Sequence, residues 1–182
     1  MNYKAHETGG ILFGIVIFIL VGPILLGAFK DDEFIAVVTF VALLGGSFIG
    51  SLLPDLDQPS SKISCSLGII TKGISKTLNK LFGHRGFTHT IWFAFICAAI
   101  LVPGYSLFNF YPVNIVYTGF IVGVLIGVVS HLCLDSLTEG KIKPLYPLSS
   151  FKVGVGLVKN NKINWVYVAI ILLLLISIFY NK

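Results

Sequence analysis

The chain has four histidines, and every one of them stands at the end of an apolar run with aspartates in the same positions of neighbouring runs. His6 precedes the first run. Asp55 and Asp57 close the second in Leu53-Pro54-Asp55-Leu56-Asp57, His84 and His89 stand at the mouth of the third in His84-Arg85-Gly86-Phe87-Thr88-His89, and His131 with Asp135 end the fourth. Imidazole and carboxylate are ligands of divalent metals, and ionisable groups beside lipid are expensive, so seven of them in a chain poor in polar groups point to a metal site. Cys65, Cys97 and Cys133 form no CxxC pair and read as small hydrophobes, which leaves a nitrogen and oxygen donor set. That set suits zinc, with manganese or iron as alternatives. Seven ligands exceed what one zinc needs, so two zinc ions sharing Asp55 or Asp57 as a bridge are expected.

Taken singly, each motif is ambiguous. His131 and Asp135 are four apart and share one helix face, where both bind one ion or the aspartate orients the imidazole. An extended Asp55-Leu56-Asp57 after Pro54 would aim both carboxylates alike, although such pairs also serve as caps and turns. His84 and His89 are five apart, wrong for one helix face, so His84 is placed on the loop and His89 in a first helical turn with Thr88 as candidate N-cap.

These groups need a scaffold that brings distant segments to one place. Hydrophobic residues make up 55% of the 182 and charged ones 12%, with a mean hydropathy of +0.91, which excludes an ordinary soluble domain. The expectation is one integral membrane domain over 1–182, all-α, a polytopic bundle of about five transmembrane helices at 9–29, 34–53, 87–105, 112–137 and 164–180. Residues 9–29 are too long, and lack the cleavage site, for a secretory signal. Five spans put eleven of the thirteen cations on one side and only Lys30 and Lys182 on the other, which makes the first side cytoplasmic in a multi-pass protein of the cell inner membrane. All seven candidate ligands then meet the cytoplasmic leaflet, and the charge of +5 implies no nucleic acid.

Residues 60–83 do not span. Ile63, Leu67, Ile70, Ile74, Leu78 and Leu81 recur at helical spacing between Lys62, Lys72, Lys76 and Lys80, which predicts a cytoplasmic interfacial amphipathic helix drawn to anionic membrane lipids. Gly119, Gly123 and Gly127 form a row that continues into His131 and Asp135, and Gly46 with Gly50 answer it on span two. Small residues permit close approach, so spans two and four are expected to touch and to bring Asp55 near His131. Residues 138–163 predict a short hairpin over the site, and Trp165, Tyr167 and Tyr180 give the last span an anchoring role.

The segments GSLLPDLDQPSS, GHRGFTHT and SHLCLDSLTEG, with His6-x-x-x-Gly10 before them, resemble the YdjM family of membrane-bound metal-dependent hydrolases. The resemblance covers most of the chain. It implies a multi-span bundle with a hydrolase-type metal site whose motif residues fall on His6, Asp55, Asp57, His84, His89, His131 and Asp135. A more distant similarity, by analogy alone, is to zinc-dependent phospholipases C and related nucleases.

The function expected is hydrolysis of a phosphoester in a lipid or other amphiphile by metal-activated water, with Asp57 in the catalytic set and Arg85 neutralising phosphate oxygens. Arg85 pinning its own loop to a carboxylate is the structural alternative. Glu139 is a candidate general base or a plain surface acid. One rival is a metal-free lipid phosphatase with His131 as nucleophile, which lacks the Ser-Arg expected before its histidine because residues 123–130 read GVLIGVVS. A non-catalytic metal-stabilised scaffold or transporter is the other.

Overall fold

The computed structural model describes residues 3–26, 32–66, 68–156 and positions 173, 176 and 177, with backbone alone for 21–26. Among these residues the chain is all-helical: α1 (Tyr3–Leu26), α2 (Glu33–Gly50), a 3-10 turn (Leu53–Asp57), α3 (Lys62–Ser66), α4 (Ile69–Phe82), a second 3-10 turn (Phe87–His89), α5 (Ile91–Leu107) and α6 (Val113–Ser136). Three segments are long and apolar enough to cross a membrane, within α1, along α2 with the turn that follows it, and along α6. The expected fifth span at 164–180 lies outside the described residues except for three isolated positions, as do residues 27–29 of the first.

The third expected span begins later than the hydropathy pattern placed it. Thr90 has extended backbone and accepts a hydrogen bond from the Phe93 amide at 3.3 Å, so α5 starts at Ile91 and His89 sits in the turn before it. Thr90 is therefore the cap that Thr88 was expected to be. At about 1.5 Å per residue the 17 residues of α5 reach about 26 Å, just under a hydrocarbon core of about 30 Å.

The α2–α6 contact is the spine of the bundle. A Cβ at Gly46 or Gly50 would run into the Phe120 or Val124 carbonyl, and one at Gly123 or Gly127 into the Leu43 or Ser47 carbonyl. The two glycine rows interlock backbone against backbone, as small residues allow. α1 is tied to this pair by Ser47 Oγ donating to the Gly10 carbonyl at 2.6 Å. On another flank of α6, Phe93, Ala94 and Cys97 of α5 pack against Val124 and Val128.

Two expectations for the connecting segments are corrected. The 60–83 helix is broken at Gly68, whose φ of 65° is cheap only for glycine, into a short α3 and a 14-residue α4. The 138–163 loop makes no hairpin of strands among its described residues. Ile142 and Val153 form an antiparallel pair whose amides exchange hydrogen bonds at 2.9 and 2.8 Å, while Val155 N donates to Ser136 O at the end of α6.

Candidate metal centre

A 3-10 turn has three residues per revolution, so side chains two positions apart point about 120° away from one another. The extended geometry expected for Asp55-Leu56-Asp57 is thus replaced by a turn that sends its two carboxylates in different directions. Asp57 is buried and becomes a hub. One oxygen accepts from the Arg85 amide and from Thr88 Oγ1, both at 2.8 Å, and the other lies 3.0 Å from His84 Nδ1. The His84–His89 segment wraps round this carboxylate. Gly83 (φ 71°) ends α4 and a Cβ at Gly86 would strike the Phe82 carbonyl, while Arg85 itself sits at φ 61°, rare for a residue with a side chain.

His131 is buried in α6, and its Nδ1 is 2.6 Å from the Ser51 carbonyl. A carbonyl only accepts, so Nδ1 carries the proton and Nε2 presents its lone pair. His89 follows the same logic. Its Nδ1 lies 3.3 Å from Asp57, which leaves Nε2 facing Asp135 at 3.5 Å. Holding one ring nitrogen by a carbonyl or carboxylate is how a metal-ligating imidazole is oriented.

The remaining groups close around these two nitrogens. Asp55 Oδ1 is 3.8 Å and Asp135 Oδ2 4.0 Å from His131 Nε2, His6 Nε2 is 3.7 Å from Asp135 Oδ1, and the His6 ring stacks on His131 with centroids 3.6 Å apart. Four ligand-type atoms here are buried without a hydrogen bond: His6 Nδ1, His89 Nε2, His131 Nε2 and Asp135 Oδ1. Leaving one such group unpaired costs about 1–3 kcal/mol, so a cluster of them is unfavourable unless something else satisfies it. Ligands about 2.1 Å from a tetrahedral ion stand about 3.4 Å from one another, close to the spacings observed. The donor set therefore fits a divalent metal, in the groups His6, His131, Asp135 and Asp55, His89, His131. Burial disfavours charge on His89, yet the flanking Asp135 and Asp57 outweigh it and lift its pKa to about 9, so the local field favours positive charge at Nε2, a proton or a metal ion in the proton's place.

The structure thus brings together His6, Asp55, His89, His131 and Asp135, from the start of α1, the turn after α2, the turn before α5 and the end of α6. His84 and Asp57 stand outside both groups, His84 with 46% of its side chain exposed and Asp57 occupied by its donors. Arg85 forks inward: Nη2 pairs with Asp135 Oδ2 at 3.0 Å and Nη1 donates to the Gly140 carbonyl. Glu139 is exposed on the turn after α6. Two participants were not foreseen. The Ser51 carbonyl carries no side-chain signal, whereas Thr88 was visible inside its motif but assigned to a cap.

The centre opens through Asp55, whose side chain is 19% exposed and lines a pocket of about 340 Å³ with Tyr3, Gln58, Lys62 and His84. Glu7 hydrogen-bonds Lys62 on its rim and raises the lysine's pKa.

The family model described as YdjM inner membrane protein matches residues 1–182. The chain is 32% identical over 105 residues to Inner membrane protein YdjM of Escherichia coli (strain K12), covering 58% of this chain and 49% of the relative, and the Shigella flexneri protein of that name matches equally. It is 32% identical over 107 residues to Uncharacterized protein YvsG of Bacillus subtilis (strain 168), covering 59% and 58%. The chain thus spans about half the length of the curated relatives it matches. No solved structure matches. Carrying the family's signature over its full length, the chain belongs to the YdjM inner membrane protein family.

Proposed function

We propose that the protein is a membrane-embedded metal-dependent hydrolase acting on a phosphoester of a lipid or other amphiphile at the cytoplasmic leaflet. The observation that carries the reading is the convergence of buried nitrogen and oxygen atoms that make no hydrogen bond beside a pocket opened by Asp55. A divalent ion in that position supplies Lewis acidity and lowers the pKa of water. Both candidate groups use His131, whose single free nitrogen serves one ion, so one ion replaces the two expected from ligand number. Zinc is favoured by the donor types, with manganese or iron as alternatives.

The protein's own groups have distinct parts in this reading. His131 and His89 hold fixed tautomers, Asp135 is steadied by Arg85, and Asp57 shapes the turn that carries His84 to His89. Were the ion held by His6, His131 and Asp135, Asp55 at the pocket mouth would be the carboxylate placed to accept the proton of an arriving water. Arg85, committed to Asp135 and Gly140, positions the centre instead of contacting phosphate. A metal-free phosphatase is disfavoured, because His131 Nδ1 is held by a carbonyl and not by Asp135.

The test uses vesicles containing the full chain and a fluorogenic short-chain phosphatidic acid. Wild type should hold about one metal equivalent, hydrolyse substrate in inverted but not in sealed right-side-out vesicles, and lose turnover on chelation. His131→Ala should lose metal and turnover together. Turnover that survives chelation would sink the metal reading, and full metal content in His131→Ala would remove α6 from the centre.

A further inference from the structure

A second pocket, of about 520 Å³, lies on the other side of His84, between the Arg85 turn and the 140–152 segment. Three lysines line it, Lys141, Lys143 and Lys152, together with Tyr146 and with Arg85, whose charge is already paired with Asp135, and no carboxylate does among the described residues. The arrangement follows from the bridge between Ile142 and Val153. Side chains alternate along extended backbone, so pairing Ile142 with Val153 sends those two to one face and their neighbours to the other. Ile142 is 2% exposed, and Lys141, Lys143 and Lys152 accordingly share the pocket face. Lys143 and Lys152 stand directly across the pair, where like charges are destabilising. Gly154 completes the register, since a Cβ there would collide with the Lys141 side chain. The Tyr146 ring, 5.8 Å from Lys143 Nζ, offsets part of this charge by a ring contact.

The same loop exposes Leu145, Leu148, Phe151 and Val155, the second and third at 78% and 68%. Cations gathered in a pocket beside outward apolar side chains match the two parts of an anionic lipid, a charged headgroup joined to acyl chains. The pocket also reaches the centre, because Arg85 on its wall is the residue that pairs with Asp135.

We infer that this pocket is a binding subsite for the phosphate headgroup of an anionic lipid, with the apolar residues of the loop set among the acyl chains. As a route for substrate it rests on the hydrolase reading; as a binding site it stands without it.

Binding is measured on the purified full chain in detergent, with dihexanoyl phosphatidic acid, dihexanoyl phosphatidylcholine and inorganic phosphate as probes. Phosphatidic acid should bind at least ten times tighter than either of the others. Lys143→Gln/Lys152→Gln should weaken it at least tenfold with metal content unchanged and thermal stability equal or slightly raised, whereas Lys72→Gln/Lys76→Gln on α4 should bind like wild type. Equal affinity for inorganic phosphate would mean an ion site without lipid selectivity and would overturn the proposal, as would undiminished binding by the pocket variant. An equal loss in the α4 variant would reduce the effect to general charge and overturn it too. Intact, selective binding without turnover in the metal-loaded protein would leave the subsite standing and defeat the hydrolase reading.

Discussion

α6 and α4 both pack through small or polar groups, but one is gripped tightly and the other loosely. In α6 the buried row runs Gly119, Gly123, Gly127, Ser130, His131 and Asp135, small or polar, and it meets the backbone of α2. In α4 the buried residues are Thr71 and Ser75, with Asn79 donating to the Asp57 carbonyl at 2.8 Å, while Ile69, Ile70, Ile74 and Leu81 face outward. Both helices turn polar or small groups toward the protein. They differ in how tightly that face is gripped. A Cβ on the α6 row meets carbonyl oxygens, and one at Gly73 of α4 meets nothing within 4 Å. The lesson is that apolarity alone does not decide burial here: small and polar stripes pack in both helices, beside Val124 and Val128 in α6, while the isoleucines of α4 face outward.

The comparison breaks most decisively at its tight end. Gly127→Leu must push α2 from α6, since the obstruction is the Ser47 carbonyl and the Ser51 amide and not a yielding side chain. The expected loss is about 3 kcal/mol, at the upper end of overpacking, with metal content falling because Asp55 and the Ser51 carbonyl move away from His131. Denaturation in mild detergent with elemental analysis measures both. At the loose end, Gly73→Ala should stabilise by about 1 kcal/mol through helix propensity alone. An equal penalty at both glycines would erase the distinction between the helices.

Asp57 sharpens the comparison, because it is where the two regions join: α4 reaches its carbonyl through Asn79, and the His84–His89 turn reaches its carboxylate. Asp57→Asn keeps the shape but loses acceptor capacity for four donors. A loss of about 1–3 kcal/mol is expected, with metal affinity reduced and not abolished, since the carboxylate orients His89 from outside the ligand set. Competition with a chelating dye reads the affinity. Abolished binding would make Asp57 a ligand after all.

How much was legible in the sequence depends on whether one residue type implies one geometry. Glycine rows at four-residue steps have few uses between apolar helices, so the α2–α6 contact and the approach of Asp55 to His131 could be read directly. The candidate ligand residues at run ends were equally plain, and five of the seven converge. What could not be read was direction. Asp55-Leu56-Asp57 fits a strand, a cap or a 3-10 turn, and only the last sends Asp57 away from the inner ligands. Arg85 carried a charge suited equally to phosphate or to a neighbouring carboxylate, and its left-handed backbone, unforeseeable without Gly83 and Gly86 in place, turns it to Asp135. The break at Gly68 was hidden because the apolar spacing runs through it uninterrupted.

The smallest effect on stability, and the most direct test of what α4 faces, comes from Ile74. On the α4 wheel Ile70, Ile74 and Leu81 form one flank and Lys72, Lys76 and Lys80 the other, on either side of the packed Thr71 and Ser75. A helix lying in the interface with that division buries the isoleucine flank among acyl chains and leaves the lysine flank with headgroups and water. Ile74 is already 49% exposed, so Ile74→Trp removes little packing and should change unfolding by less than about 0.5 kcal/mol. With Trp92 and Trp165 replaced by phenylalanine, lipids brominated on their acyl chains should quench the Ile74→Trp emission strongly and Lys76→Trp emission weakly. Equal, weak quenching at both positions would mean that α4 stands clear of the bilayer, and its outward isoleucines would then require a protein partner to cover them.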